Sequence, residues 1–70
     1  MIDNVNVGDV FFYVSPLAYD QLAWFYLILS FNTQKCKFIE FEITRGNIKT
    51  TIREIESDRL YLYCSNKKKL

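Results

Sequence analysis

Seventy residues, half of them apolar and 17% aromatic, with two glycines and one proline, exclude a disordered, collagen-like or low-complexity chain and leave room for one small domain. Nine Lys and Arg oppose eight Asp and Glu, and there is no His, so a net charge of +1 singles out neither a strongly acidic nor a strongly basic partner. Met1-Ile2-Asp3-Asn4 does not resemble the start of a secretory signal, and the apolar run from Leu22 to Leu29 is far shorter than the roughly 20 residues of a membrane helix. The expectation is a cytoplasmic chain with no membrane partner.

In chain order, residues Val7 to Val14 are rich in β-branched and aromatic side chains and read as a first strand. Val10, Phe12 and Val14 fall on one face, Phe11 and Tyr13 on the other. Ser15-Pro16 ends the strand, because proline cannot donate to a ladder. The connection 15–22 has two readings: a loop, or a short helix capped by Ser15 with Pro16 at its first position. Ala23 to Phe31 is apolar on both faces, as a central strand is, although a buried helix has the same composition.

Asn32-Thr33-Gln34-Lys35 is a polar turn. After it Cys36 to Thr44 alternates more cleanly than any other segment, with Ile39, Phe41 and Ile43 opposed to Phe38, Glu40, Glu42 and Thr44. Gly46-Asn47 reads as a two-residue hairpin loop. That loop sets Ile43 opposite Thr50, Phe41 opposite Ile52, Glu42 opposite Thr51 and Glu40 opposite Arg53. It also carries Glu54 onto the apolar face opposite Ile39, which predicts a bulge or a strand end near Glu54. Glu56-Ser57-Asp58 has the size of a 3₁₀ turn. Arg59 to Cys64 reads as the last strand, with Leu60, Leu62 and Cys64 on one face and Arg59, Tyr61 and Tyr63 on the other; Ser65 to Leu70 is a polar tail with three lysines.

The expected fold class is therefore all-β and mainly antiparallel, a single small domain over residues 1–66 with a basic tail at 67–70. In element order alone, residues 7–64 resemble the SH3-like barrel, with a long connection after the first of five strands and a 3₁₀ turn before the last. Closure would remove the exposed sheet edges. A curled meander is the open form of the same order, and an α+β arrangement with one short helix within 15–28, packed on an antiparallel sheet, is the alternative.

For catalysis the sequence offers little. Without His, Ser-His and Cys-His arrangements are excluded, and neither a phosphate-binding glycine loop nor a metal-ligand cluster is present, so no enzyme activity, cofactor or metal is expected. Glu40 and Glu42 share a strand face, but their basic cross-strand neighbours mark them as surface ion pairs. Cys36 and Cys64, which form no CxxC pair, read as buried free thiols; a disulfide between them stays open in an oxidising compartment.

The aromatic residues carry the functional expectation. If Val10, Phe12, Val14 and Leu60, Leu62, Cys64 face a core, then Phe11, Tyr13, Tyr61 and Tyr63 face outward as one patch, with Trp24 and Tyr26 beside them. Such a patch implies a protein-binding module, of the accessory or inhibitory kind that viruses encode and that would work in the host cell cytoplasm; the partner is another protein or, as a homodimer, a second copy. Two other coverings are open: residues 15–22, through Leu17, Tyr19 and Leu22, or residues 1–6. Single-strand nucleic-acid binding is the rival reading, with rings for stacking and Lys35, Lys37 and Lys67 to Lys69 for phosphates. It is the weaker one, because residues 1–66 carry six basic against eight acidic side chains. An obligate subunit of a larger assembly is a third.

Overall fold

The computed structural model describes residues 4–15 and 22–70. It contains strands β1 (Val10–Val14), β2 (Leu22–Phe31), β3 (Lys35–Thr44) and β4 (Asn47–Glu56), a 3₁₀ turn (Ser57–Arg59), a short helix α1 (Leu60–Cys64) and a two-residue strand β5 (Lys68–Lys69). All pairings are antiparallel and the sheet order is β4-β3-β2-β1-β5. The expected antiparallel five-stranded meander is present, but it does not close into a barrel: β4 and β5 are its two edges.

The reason lies in residues 60–64, which form a helix where a strand was expected. Leu60, Tyr63 and Cys64 stand at i, i+3 and i+4, so one helical stripe meets the core while Tyr61 and Leu62 stay exposed. A segment of five residues fits period 2 and period 3.6 equally well, and contact with the sheet decides between them. With this segment lying across the sheet instead of beside β1, the place at the β1 edge falls to Lys68 and Lys69, which pair with Phe12 and Phe11. A helix within 15–28 is not seen over 22–28, which belong to β2; residues 16–21, with Leu17 and Tyr19, lie outside the described residues.

The hairpin β3–β4 turns on Arg45-Gly46, not Gly46-Asn47. Both residues have positive φ, +49° and +87°, as a two-residue type I′ connection requires. The register therefore sets Ile43 opposite Ile48, Phe41 opposite Thr50, Ile39 opposite Ile52 and Glu42 opposite Lys49. Glu54 meets Lys37 and Glu56 meets Lys35, so the ladder runs to Glu56 without the bulge expected near Glu54. Glu40 faces Thr51, and Arg53 reaches it from the diagonal.

A register irregularity does occur, in β2 between Ile28 and Ser30. One extra residue reverses the alternation there. Trp24, Tyr26 and Ile28 point to the helix side before it, and Phe31 points to the same side after it, where it joins the core. The β2–β3 turn is held by Asn32, whose Oδ1 accepts from the Gln34 and Lys35 backbone N–H groups at 2.8 Å each. Ser57 ties the end of β4 to this turn: its N–H donates to the Gln34 carbonyl at 3.0 Å and its hydroxyl to the Asn32 carbonyl at 2.6 Å.

The core lies between α1 and one face of the sheet. Phe11, Tyr26, Ile28, Cys36, Phe38, Leu60 and Cys64 are buried, and Val5, Trp24, Phe31, Ile55 and Tyr63 pack against them. Both cysteines are free.

Candidate functional site

The two faces of the sheet differ in what covers them. On the helix side the rings of Tyr26, Phe38 and Tyr63 pack together, with Tyr26 and Phe38 centroids 4.9 Å apart and Tyr63 edge-on to Phe38 at 5.6 Å. Toward the hairpin end this face turns polar. The Glu40 carboxylate accepts from the Tyr26 hydroxyl at 3.1 Å and from Arg53 Nε at 2.9 Å. Burial first, and the Glu40 charge second, push the Tyr26 phenol well above the ordinary tyrosine value. The Lys67 ammonium closes the cluster, 4.4 Å from the Tyr26 ring centroid and donating to the Tyr63 carbonyl at 2.8 Å. Its burial lowers its pKa.

The six rings expected to form an exposed patch therefore lie on the covered side, with one exception. Phe11 and Tyr26 are core residues, 5% and 6% exposed; Trp24 and Tyr63 pack against the core, and half-buried Tyr13 leans on Trp24 at 5.8 Å between centroids. Tyr61 alone is exposed, at 46%. The expectation of a single outward patch is corrected by the helix: once 60–64 lies over the sheet, Phe11 and its neighbours become its bed.

The opposite face shows the reverse. Three successive rungs cross β1, β2, β3 and β4: Val14-Ala23-Ile43-Ile48, then Phe12-Phe25-Phe41-Thr50, then Val10-Leu27-Ile39-Ile52. Eleven of these twelve positions are apolar and Thr50 is the other. None of the twelve is buried; Val14, Ile48 and Ile52 are 56%, 66% and 62% exposed. Among the described residues no element packs over this face, because α1 and Val5 both belong to the helix side. Charges stand at the margins of this face: Lys68 of β5, paired with Phe12 at the β1 edge, and past the third rung the opposed pairs Lys37 with Glu54 and Lys35 with Glu56.

The signal for this face was present in the alternation of Ile39, Phe41 and Ile43 against Glu40 and Glu42. Period 2 shows which side chains share a face but not which face the chain itself covers.

Chemical equipment is sparse elsewhere. A cleft of about 500 Å³ opens between the β2–β3 turn and the helix, lined by Phe31, Asn32, Ser57, Leu60 and Tyr61 among others. Desolvation pushes the Cys36 thiol up and the Cys64 thiol to about 11, away from the reactive thiolate. Among the described residues there is no cluster of three or more metal-ligating side chains, and no helix is long and apolar enough to cross a membrane. Of the five lysines assigned to phosphate contact, Lys67 is held against Tyr26 and Lys69 pairs with Asp9 at 3.0 Å. Compared with family models, with curated proteins and with solved structures, the chain matches none.

Proposed function

We propose that this chain is a non-enzymatic module of protein association whose working surface is the open sheet face centred on Phe12, Phe25 and Phe41. One observation carries the reading: three consecutive apolar rungs, free of charge across β1 to β4, stand uncovered by any of the described residues on a sheet whose other face already has its helix. Contiguous apolar surface of several hundred Å² is costly in water and commonly marks an interaction site. Accessory and inhibitory proteins of viruses and mobile elements act by such surface occupation, and a chain without an activated nucleophile among its described residues suits that class. The single-strand nucleic-acid reading loses support, because Lys67 and Lys69 are engaged within the fold and the core rings cannot stack on bases.

The test is dye binding. The environment-sensitive dye anilinonaphthalene sulfonate binds exposed apolar surface. It should bind a chain whose face is free, and Ile48→Lys/Ile52→Lys should abolish that binding while the far-ultraviolet circular dichroism is unchanged. A face already occupied by a protein surface shows the opposite pattern: the dye is excluded until the association is diluted away. A chain that is monomeric at every concentration and still excludes the dye would refute the reading.

A further inference from the structure

Resting on that reading, we infer that the protein surface covering the open face is a second copy of this chain, stacked face to face as a two-sheet sandwich about a twofold axis.

Area comes first. Three rungs across four strands span a square roughly 20 Å on a side, an apolar centre of about 400 Å². Strands β2, β3 and β4, ten residues each, and β1, five residues, cover roughly 570 Å² at the usual rise and strand spacing, so two copies would bury on the order of 1,100 Å², above the roughly 1,000 Å² expected of a biological interface. A patch of that size with an apolar centre and charges at its margin has the anatomy of a homodimer surface.

Charge comes second. An isologous interface brings every residue near the same surface of its copy, so a face of one sign repels itself. This face carries little of that penalty: its twelve central positions are uncharged, the marginal Lys35, Lys37, Glu54 and Glu56 pair with each other across β3 and β4, and the remaining charge, Lys68, stands exposed at the outer β5 edge beside Phe12. A face shaped for a foreign charged partner would carry a block of one sign; this one carries two opposed pairs and a single edge lysine.

Shape comes third. The middle rung is the phenylalanine rung, with the Phe12 and Phe25 rings stacked at 6.3 Å and Phe41 next across the ladder. Phe25 and Phe41 flank the centre of the four strands, so a twofold axis there sets each near the other's counterpart. Aligned sheets pack about 10 Å apart, which two layers of such side chains fill.

The experiment is sedimentation equilibrium of the full chain over a wide concentration range, together with the Ile48→Lys/Ile52→Lys variant. Both positions are more than 60% exposed, so lysine is tolerated in the single copy. The expected result is a wild-type mass twice the 8.4 kDa of one chain and a variant mass of 8.4 kDa with an unchanged circular dichroism spectrum. A second measurement needs no variant: in a mixture of isotope-labelled and unlabelled wild type, filtered nuclear Overhauser effects should connect Phe25 and Phe41 rings of different copies. Absence of those effects in a dimer, or a wild type monomeric at every concentration, overturns the inference. In the monomeric case dye binding separates the two ideas. A monomer that binds the dye keeps the association face and loses only the second copy as its occupant; a monomer that excludes the dye loses both.

Discussion

Lys67 places its ammonium 4.4 Å from the centre of the Tyr26 ring, and by this contact the last residues of the chain are fastened to the core. Desolvation costs the ammonium enough to lower its pKa, and the Tyr63 carbonyl and the ring face offset that cost. Lys67→Ala is expected to lower stability by about 1 kcal/mol, from a half-buried cation over a ring and a lost hydrogen bond. Lys68→Ala, at an exposed edge position, should change it by less than about 0.5 kcal/mol. Urea unfolding of the two variants checks the difference; equal effects would mean that the three lysines act only through net charge.

Arg45 holds φ of +49° at the first loop position of the β3–β4 hairpin, a region that asparagine enters more readily than arginine. Its neighbour Gly46 already supplies the second positive φ. Arg45→Asn would create the loop sequence most favoured for this turn type and should raise stability by up to about 1 kcal/mol. A thermal melt showing a lower midpoint would indicate that the arginine side chain contributes a contact worth more than the backbone strain.

That same turn shows where sequence reasoning reached and where it stopped. Gly46-Asn47 and Arg45-Gly46 are both acceptable loops, and the two registers share one face assignment, because they differ by a single step in each strand. The observed register pairs Ile43 with Ile48, Ile39 with Ile52, Glu42 with Lys49 and Lys37 with Glu54, and it needs no bulge. The alternative leaves Glu54 against Ile39. Cross-strand pairing over the whole ladder, taken to Glu56, was enough to choose. The helix at 60–64 was not legible in this way, since Leu60, Tyr63 and Cys64 satisfy one period and Leu60, Leu62 and Cys64 the other. From that single ambiguity follows the inversion of the site: read as a strand, residues 59–64 send the covered rings to the surface and the open rungs to the core.

Asp9 fixes the other end of β1. Its carboxylate accepts the Asn6 backbone N–H at 2.8 Å and pairs with Lys69 at 3.0 Å, and these contacts, the Asn6 bond first, hold its pKa below the ordinary 3.8. A depressed carboxylate pKa stabilises the fold above the unfolded value of 3.8, and that contribution is lost as pH falls through the lower folded value. Acidification below about pH 3.8 should therefore loosen β5 before the central strands, seen as lost amide protection at Leu70, whose N–H donates to Val10. Asp9→Asn should flatten this acid dependence. Unaltered Leu70 protection down to full protonation of Asp9 would show that β5 is held by its backbone pairing alone.

Phe11 and Tyr61 give the sharpest contrast between what the two periods imply. On a strand at 59–64 both would lie outside, and truncating either would be mild. With the helix in place Phe11 is 5% exposed beneath it, and Tyr61 is 46% exposed on its outer side. Phe11→Ala removes a buried ring and leaves a cavity under α1, a loss of about 3–5 kcal/mol. For a chain of this size that approaches the whole stability of the fold, so the variant should be largely unfolded at 25 °C. Tyr61→Ser should lie within about 0.5 kcal/mol of the wild type. Chemical denaturation followed by near-ultraviolet circular dichroism measures both, and comparable small effects would return residues 59–64 to the sheet.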